Sequence, residues 1–157
     1  EVVFDRLEHG KPSVRQQGEV PSRRLEFNLT GSHDLALVAV SRGRAVGVDC
    51  ERIWPRREVL GIARRMFSRP IADALARLPR PQQLDAFYAA WTALEAQVKA
   101  DGRGLFRPRD PSAASLTTVQ FQPQPGYLAA LAAERLPALH LWGCYEWAGR
   151  IESTDVK

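Results

Sequence analysis

The sequence predicts an α+β fold of antiparallel sheets packed with helices, and three observations carry that expectation. Strand-like apolar runs gather at Leu25–Leu29, Leu35–Val40 and Ala45–Glu51, and again at Leu116–Phe121, Tyr127–Ala133 and Leu139–Tyr145. Between the two groups, residues 59–98 carry helical periodicity. Strands do not alternate singly with helices, as a parallel sheet would require.

Taken in order, residues 1–24 are polar and broken by Gly10, Pro12, Gly18 and Pro21, which reads as an extended lead-in. Ser41-Arg42-Gly43-Arg44 is a turn signal between apolar runs. It predicts a hairpin in which Leu35–Val40 runs up and Ala45–Glu51 returns. Side chains alternate along a strand, so Val46 and Val48 share one face while Gly47, Asp49 and Glu51 share the other. Val59–Phe67 and Ile71–Leu78 have the spacing of short helices. The clearest helix follows Pro81, with Leu84, Phe87, Tyr88, Trp91, Leu94 and Val98 at three- and four-residue steps, and ends at Gly102 and Gly104. The segment 106–114 reads as loop, and the alanine-rich stretch 127–133 is compatible with strand or helix.

The chain has 157 residues, 45% hydrophobic and 25% charged, which is ordinary globular composition. No apolar run reaches the roughly 20 residues needed to span a bilayer. The opening residues, which begin with Glu1 rather than methionine, lack the basic start and apolar centre of a signal peptide. Cys50 and Cys144 form neither a disulfide framework nor a CxxC pair, and free thiols point to a reducing cytoplasm. Net charge is +4, and Arg52, Arg56, Arg57, Arg64, Arg65 and Arg69 crowd one stretch. Such a cluster suits phosphates or an acidic protein, or is a solvated helix face.

Three acids carry candidate chemistry. Asp49 and Glu51 stand at i and i+2 on one strand face, and Glu95 lies on the long helix. Magnesium prefers hard oxygen ligands and binds one or two carboxylates together with phosphate oxygens. Taken alone, two acids near a strand end are as readily a charged terminus, and Glu95 with Lys99 is a favourable surface pair at i, i+4. Trp91 one turn earlier and Gly102-x-Gly104 just after make this neighbourhood unusual, because the glycines let backbone approach a ligand.

The ordered motifs resemble those of the surfactin-type 4′-phosphopantetheinyl transferases. Gly47-Val48-Asp49-Cys50-Glu51 resembles the family's Gly-Ile-Asp-x-Glu. The run from Trp91 through Glu95, Lys99 and Gly102 to Leu105 resembles its Trp-x-x-Lys-Glu-Ala-x-x-Lys-x-x-Gly-x-Gly-Leu. Gly10-Lys11-Pro12, Phe27-Asn28-Leu29 and Gly126-Tyr127 resemble three further family segments, so the resemblance spans residues 9–132. It implies the transferase fold, with pseudo-two-fold halves of which the first is truncated here. Residues 1–45 would be a remnant of the N-terminal half, 46–150 the half with the metal and catalytic motifs, and 151–157 a tail.

The resemblance also implies roles. Asp49, Glu51 and Glu95 would bind Mg²⁺ with the pyrophosphate of coenzyme A, the substrate. Glu95 would act, directly or through water, as base on the serine of an acyl or peptidyl carrier protein, and Lys99 would neutralise or protonate the departing phosphate of 3′,5′-ADP. Contacts to coenzyme A would come from Lys11, Thr30, Ser32, His33 and Lys99. Phosphoryl transfer is mostly positioning and charge neutralisation, which these residue types supply.

The chain departs from the pattern at Thr30-Gly31-Ser32-His33, where the family has Ser-His-Ser. It also departs at Leu94, where the family has lysine, and at Pro70-Ile71. Two other functions stand beside the transferase: a non-catalytic relative that binds carrier protein or nucleotide, and a basic nucleic-acid-binding module. Against the latter, only Trp54 and Phe67 interleave with the arginines, fewer aromatics than a stacking platform requires. No membrane partner is expected, and a second copy could cover the truncated half.

Overall fold

The computed structural model describes residues 3–6, 12–15, 20–56, 58–105, 107, 110 and 113–147. The expected α+β class is what it shows. Among these residues, β1 (Phe4–Arg6) pairs with β2 (Pro12–Val14), and β3 (Leu25–Ser32) with β4 (Leu35–Arg42). β5 (Val46–Arg52), β7 (Tyr127–Ala133) and β6 (Thr117–Phe121) form a sheet in the order β5-β7-β6. Every pairing is antiparallel. Helices α1 (Val59–Met66), α2 (Arg69–Arg77) and α3 (Arg80–Asp101) lie between β5 and β6 in the chain.

The expected hairpin is corrected. β4 pairs with β3, from Leu25↔Arg42 to Ser32↔Leu35, whereas β5 takes its ladder from β7, from Val46↔Ala133 to Arg52↔Tyr127. A turn signal specifies that the chain reverses, not which strand answers its hydrogen bonds. The tight turn is His33-Asp34, with His33 in the left-handed region at φ 55°. Val46 through Cys50 are buried without interruption, so β5 needs cover on both faces. The alanines of β7 settle as strand because they sit between β5 and β6 and leave room for α3.

Two smaller expectations also change. The lead-in contains the β1–β2 ladder, tied by an ion pair between Arg15 and Asp5. Leu139–Tyr145 is not a strand: a 3₁₀ turn at Leu139–Leu141 is followed by irregular chain. Pro137 precedes that segment and Gly143 interrupts it, and both work against a continuous ladder.

α3 organises the core. Pro81 lies in its first turn, and Gly102 at φ 69° ends it, donating its N–H to Val98 O at 2.9 Å. Its first half packs Phe87 and Tyr88 against Val59 and Ala63 of α1 and Leu75 of α2. Its second half carries Ala96 and Ala100 onto Ala130 and Ala132 of β7. A Cβ placed on Gly47 would lie 2.0 Å from Ala96 O and 2.3 Å from Ala100 N. Only glycine permits that approach, which presses the Glu95–Lys99 turn of α3 onto β5.

Candidate active site

β3 lies beside β5 without a backbone ladder, and its side chains bridge the gap. Asn28 Oδ1 accepts from Val48 N at 2.9 Å, and Ser32 Oγ accepts from Arg52 N at 3.1 Å. Thr30 Oγ1 donates to Asp49 Oδ1 and Ser32 Oγ to Glu51 Oε2, both at 3.1 Å. Residues 28, 30 and 32 share one strand face, so the alternation that turns them inward caps edge N–H groups and also grips the two acids.

From the other side α3 supplies Lys99, whose Nζ lies 2.7 Å from Asp49 Oδ1 and 3.2 Å from Thr30 Oγ1. Thr30, Asp49, Glu51, Trp91, Glu95 and Lys99 all line one cavity of about 380 Å³. Asp49 keeps only 7% of its side chain exposed, and its Oδ2 is buried without a hydrogen-bond partner. Burial pushes the Asp49 carboxyl above its usual range, a rise opposed by Lys99 and Thr30. Glu95 is raised as well, first by burial and then by the negative charge of Asp49. A raised carboxylate beside a cation and a second acid is a poised proton acceptor, an arrangement enriched at functional sites.

Cys50, between the two acids, turns the other way and packs with Tyr127, Ala129, Leu35 and Leu37. Burial, reinforced by Asp49 and Glu51, pushes its thiol up to about 11, so it stays protonated at neutral pH. It is a core side chain, as expected.

The remaining expected contacts divide. Thr30 and Lys99 line the cavity, and Ser32 touches it through Glu51. His33 caps the hairpin turn and stacks on Trp54, with ring centroids 6.4 Å apart, and is not among the cavity-lining residues. Lys11 lies outside the described residues. Gly31 lines the cavity, and a Cβ there would meet only Leu35 O at 3.7 Å, an ordinary contact. Among the arginines, Arg52 covers the Trp54 ring at 5.2 Å, and Arg56 donates to Tyr88 Oη at 3.0 Å. Arg69 pairs with Asp73, Arg64 and Arg65 are exposed on α1, and Arg57 lies outside the described residues.

Four supporting side chains, Asn28, Tyr88, Tyr127 and Asp34, have a role at the site that the sequence reading did not give them. Asn28 was legible, being two residues before Thr30 on the same face. Tyr88 and the Tyr127–Asp34 pair were not. Tyr88 Oη holds both the N–H and the C=O of Trp54, and Tyr127 donates to Asp34 across 93 residues of sequence.

The site has the donor chemistry for a hard divalent cation: two carboxylates on one strand face, a third on the facing helix and an orphaned Asp49 oxygen. Among the described residues, however, no three His, Cys, Asp or Glu side chains are gathered into a ready-made ligand group. Lys99 holds Asp49 instead.

Comparison with known proteins agrees with this geometry. The family model described as the 4′-phosphopantetheinyl transferase superfamily matches residues 45–141, which include β5, all three helices, β6 and β7. The chain is 35% identical over 105 residues to 4′-phosphopantetheinyl transferase HetI of Nostoc sp., covering 67% of this chain and 44% of the relative. It is 36% identical over 105 residues to 4′-phosphopantetheinyl transferase psf-1 of Bacillus pumilus, covering 67% and 42%. It is 30% identical over 110 residues to 4′-phosphopantetheinyl transferase Sfp of Bacillus subtilis, covering 70% and 46%. The chain thus spans less than half the length of these curated relatives. With the family model covering most of the chain and the cavity's Asp49, Glu51, Glu95 and Lys99 all inside the matched region, the chain belongs to the 4′-phosphopantetheinyl transferase superfamily.

Proposed function

We propose that this chain carries the transfer site for moving 4′-phosphopantetheine from coenzyme A to a serine of an acyl or peptidyl carrier protein, releasing 3′,5′-ADP. The observation that carries the reading is that Asp49, Glu51, Glu95 and Lys99, all within the family-matched segment, meet around one cavity. Asp49, Glu51 and Glu95 would hold Mg²⁺, which when bound supplies charge neutralisation for the pyrophosphate.

In this reading Glu95 accepts the proton of the carrier serine. Its raised pKa suits it to that task, since a base too weakly basic at working pH takes no proton in the transition state. Lys99 meets the negative charge that develops on the leaving phosphate. Thr30 and Ser32 orient Asp49 and Glu51 through their hydroxyls and stand near enough to the cavity to contact the nucleotide. His33, stacked with Trp54 at the hairpin turn, and Lys11 are kept as coenzyme A contacts of the rim. The division into 1–45, 46–150 and 151–157 is kept too, with Thr30 and Ser32 as the contribution of the first part. The exposed Arg64 and Arg65 suit an acidic carrier surface, in a reducing cytoplasm where Cys50 and Cys144 stay free thiols.

One observation favours a further partner. Leu29, Val38 and Val40 on the outward face of the β3–β4 hairpin are 52%, 61% and 61% exposed, and Leu29 also lines the cavity. A second copy of the chain seated there would cover apolar surface.

The test is to incubate the chain with apo carrier protein, coenzyme A and Mg²⁺ and read the carrier's intact mass. A gain of one phosphopantetheine, abolished by EDTA, is expected. No gain from a folded chain would favour the non-catalytic relative instead.

A further inference from the structure

We propose that Lys99 is the built-in counter-ion of Asp49, so that the lysine and a divalent cation occupy the carboxylate alternately. The inference rests on the metal reading above and deepens it.

Asp49 is nearly sealed from water, with 7% of its side chain exposed, and a buried carboxylate must be neutralised or paired. Thr30 supplies one hydroxyl to Oδ1, which is not a charge. Lys99 supplies the charge, at 2.7 Å on the same oxygen, from the last turn of α3 where the helix dipole favours a cation. Oδ2 has no partner although it is buried, so the carboxylate is only half satisfied by the protein.

A divalent cation bound to Asp49 would stand within a few ångströms of the ammonium, and like charges at that distance in a partly buried site repel strongly. Lys99 can leave: its side chain is 28% exposed and long enough to swing toward the cavity. It enters the space in which an anionic substrate would lie. The same geometry accounts for the absence, among the described residues, of a ready-made three-ligand group. Asp49 is held by Lys99, and the acids gather only when the lysine lets go.

The test compares wild type with Lys99→Gln and with Asp49→Asn/Lys99→Gln, without coenzyme A. Mn²⁺ binding is followed by electron paramagnetic resonance, and thermal melts are run in EDTA and in Mg²⁺. Lys99→Gln is expected to bind Mn²⁺ about tenfold more tightly, because its competitor is gone. Its melt should fall in EDTA and recover with Mg²⁺, and the double variant should melt higher in EDTA than Lys99→Gln. In the wild type, the rate of Lys99 acylation, read by peptide mass, should rise when Mg²⁺ is added. That measurement needs no variant to fold. Equal Mn²⁺ affinities in wild type and Lys99→Gln, or an unchanged acylation rate in a wild type that binds Mn²⁺, would overturn the exchange while leaving the metal reading intact. No Mn²⁺ binding by either protein would remove the metal reading, and the exchange with it.

Discussion

The β3–β4 hairpin turns the polar side chains of β3 inward, beside Leu35 and Leu37 of β4, and leaves large apolar side chains outward. Toward β5 it presents Asn28, Thr30 and Ser32, of which the first two are buried. Toward solvent it presents Leu25, Leu29, Val38 and Val40, all exposed. A hairpin serving only as structure would do the opposite, since burying polar groups costs free energy unless every one is bonded. Here each inward polar side chain is bonded, to an edge N–H, to an acid of the cavity, or to both. The difference teaches that the inner face is organised around the carboxylates of β5, while the outer face exposes its apolar side chains.

That comparison can be broken most violently at the seam behind it. Gly47→Val would drive side-chain atoms into the backbone of Ala96 and Ala100, which cannot yield as a side-chain tip would. Loss of the cooperative thermal transition is expected by circular dichroism. A retained melt would mean that α3 is not pressed onto β5.

Glu95→Gln comes next, with a fall in transfer of about 100-fold or more in the carrier mass assay. Its effect on stability has the opposite sign. Burial and the Asp49 charge raise the Glu95 pKa in the fold, with Glu51 adding to the rise and Lys99 opposing it. A raised carboxyl contributes stability that is full below its unfolded value near 4.5 and is lost as pH rises through the higher folded value. At neutral pH the charge therefore weakens the fold, and Glu95→Gln should melt about 1–4 °C higher. An unchanged or lower Tm would contradict the burial of that carboxylate.

Thr30→Val tests the inner face directly. It removes a donor from Asp49 while keeping the shape, and Tm should fall by about 2–8 °C. The smallest effect belongs to the outer face: Val38→Lys should leave monomer stability within about 0.5 kcal/mol. If a second copy covers that face, sedimentation should show the variant shifted toward monomer. A loss of stability as large as that of Thr30→Val would mean that the two faces are not different in kind.

Much of this was legible in the residues. Composition excludes a long apolar span, and among the described residues no helix is long and apolar enough to cross a membrane. The periodicity from Leu84 to Val98 specifies α3, and Gly102 its end, because helix spacing and capping are local physics. Alternation places Asp49 and Glu51 together, as the cavity bears out, and turns the Cys50 side chain into the core with Tyr127 and Ala129. The motifs around them identify the family that the comparison finds.

What the sequence by itself determined, then, is the three helices and the strands from Leu25 to Phe121, the face on which each acid stands and the family. Tertiary structure alone decided the rest. It assigned β5 to β7 rather than to β4, since strand partners are chosen by burial across long separations and not by the turn between neighbours. It set Lys99 on Asp49, 50 residues away, a partner that helix spacing does not reveal. The physical reason is the close contact at Gly47: with no side chain between them, α3 and β5 meet backbone to backbone, and the nearest unpaired buried charge claims the lysine.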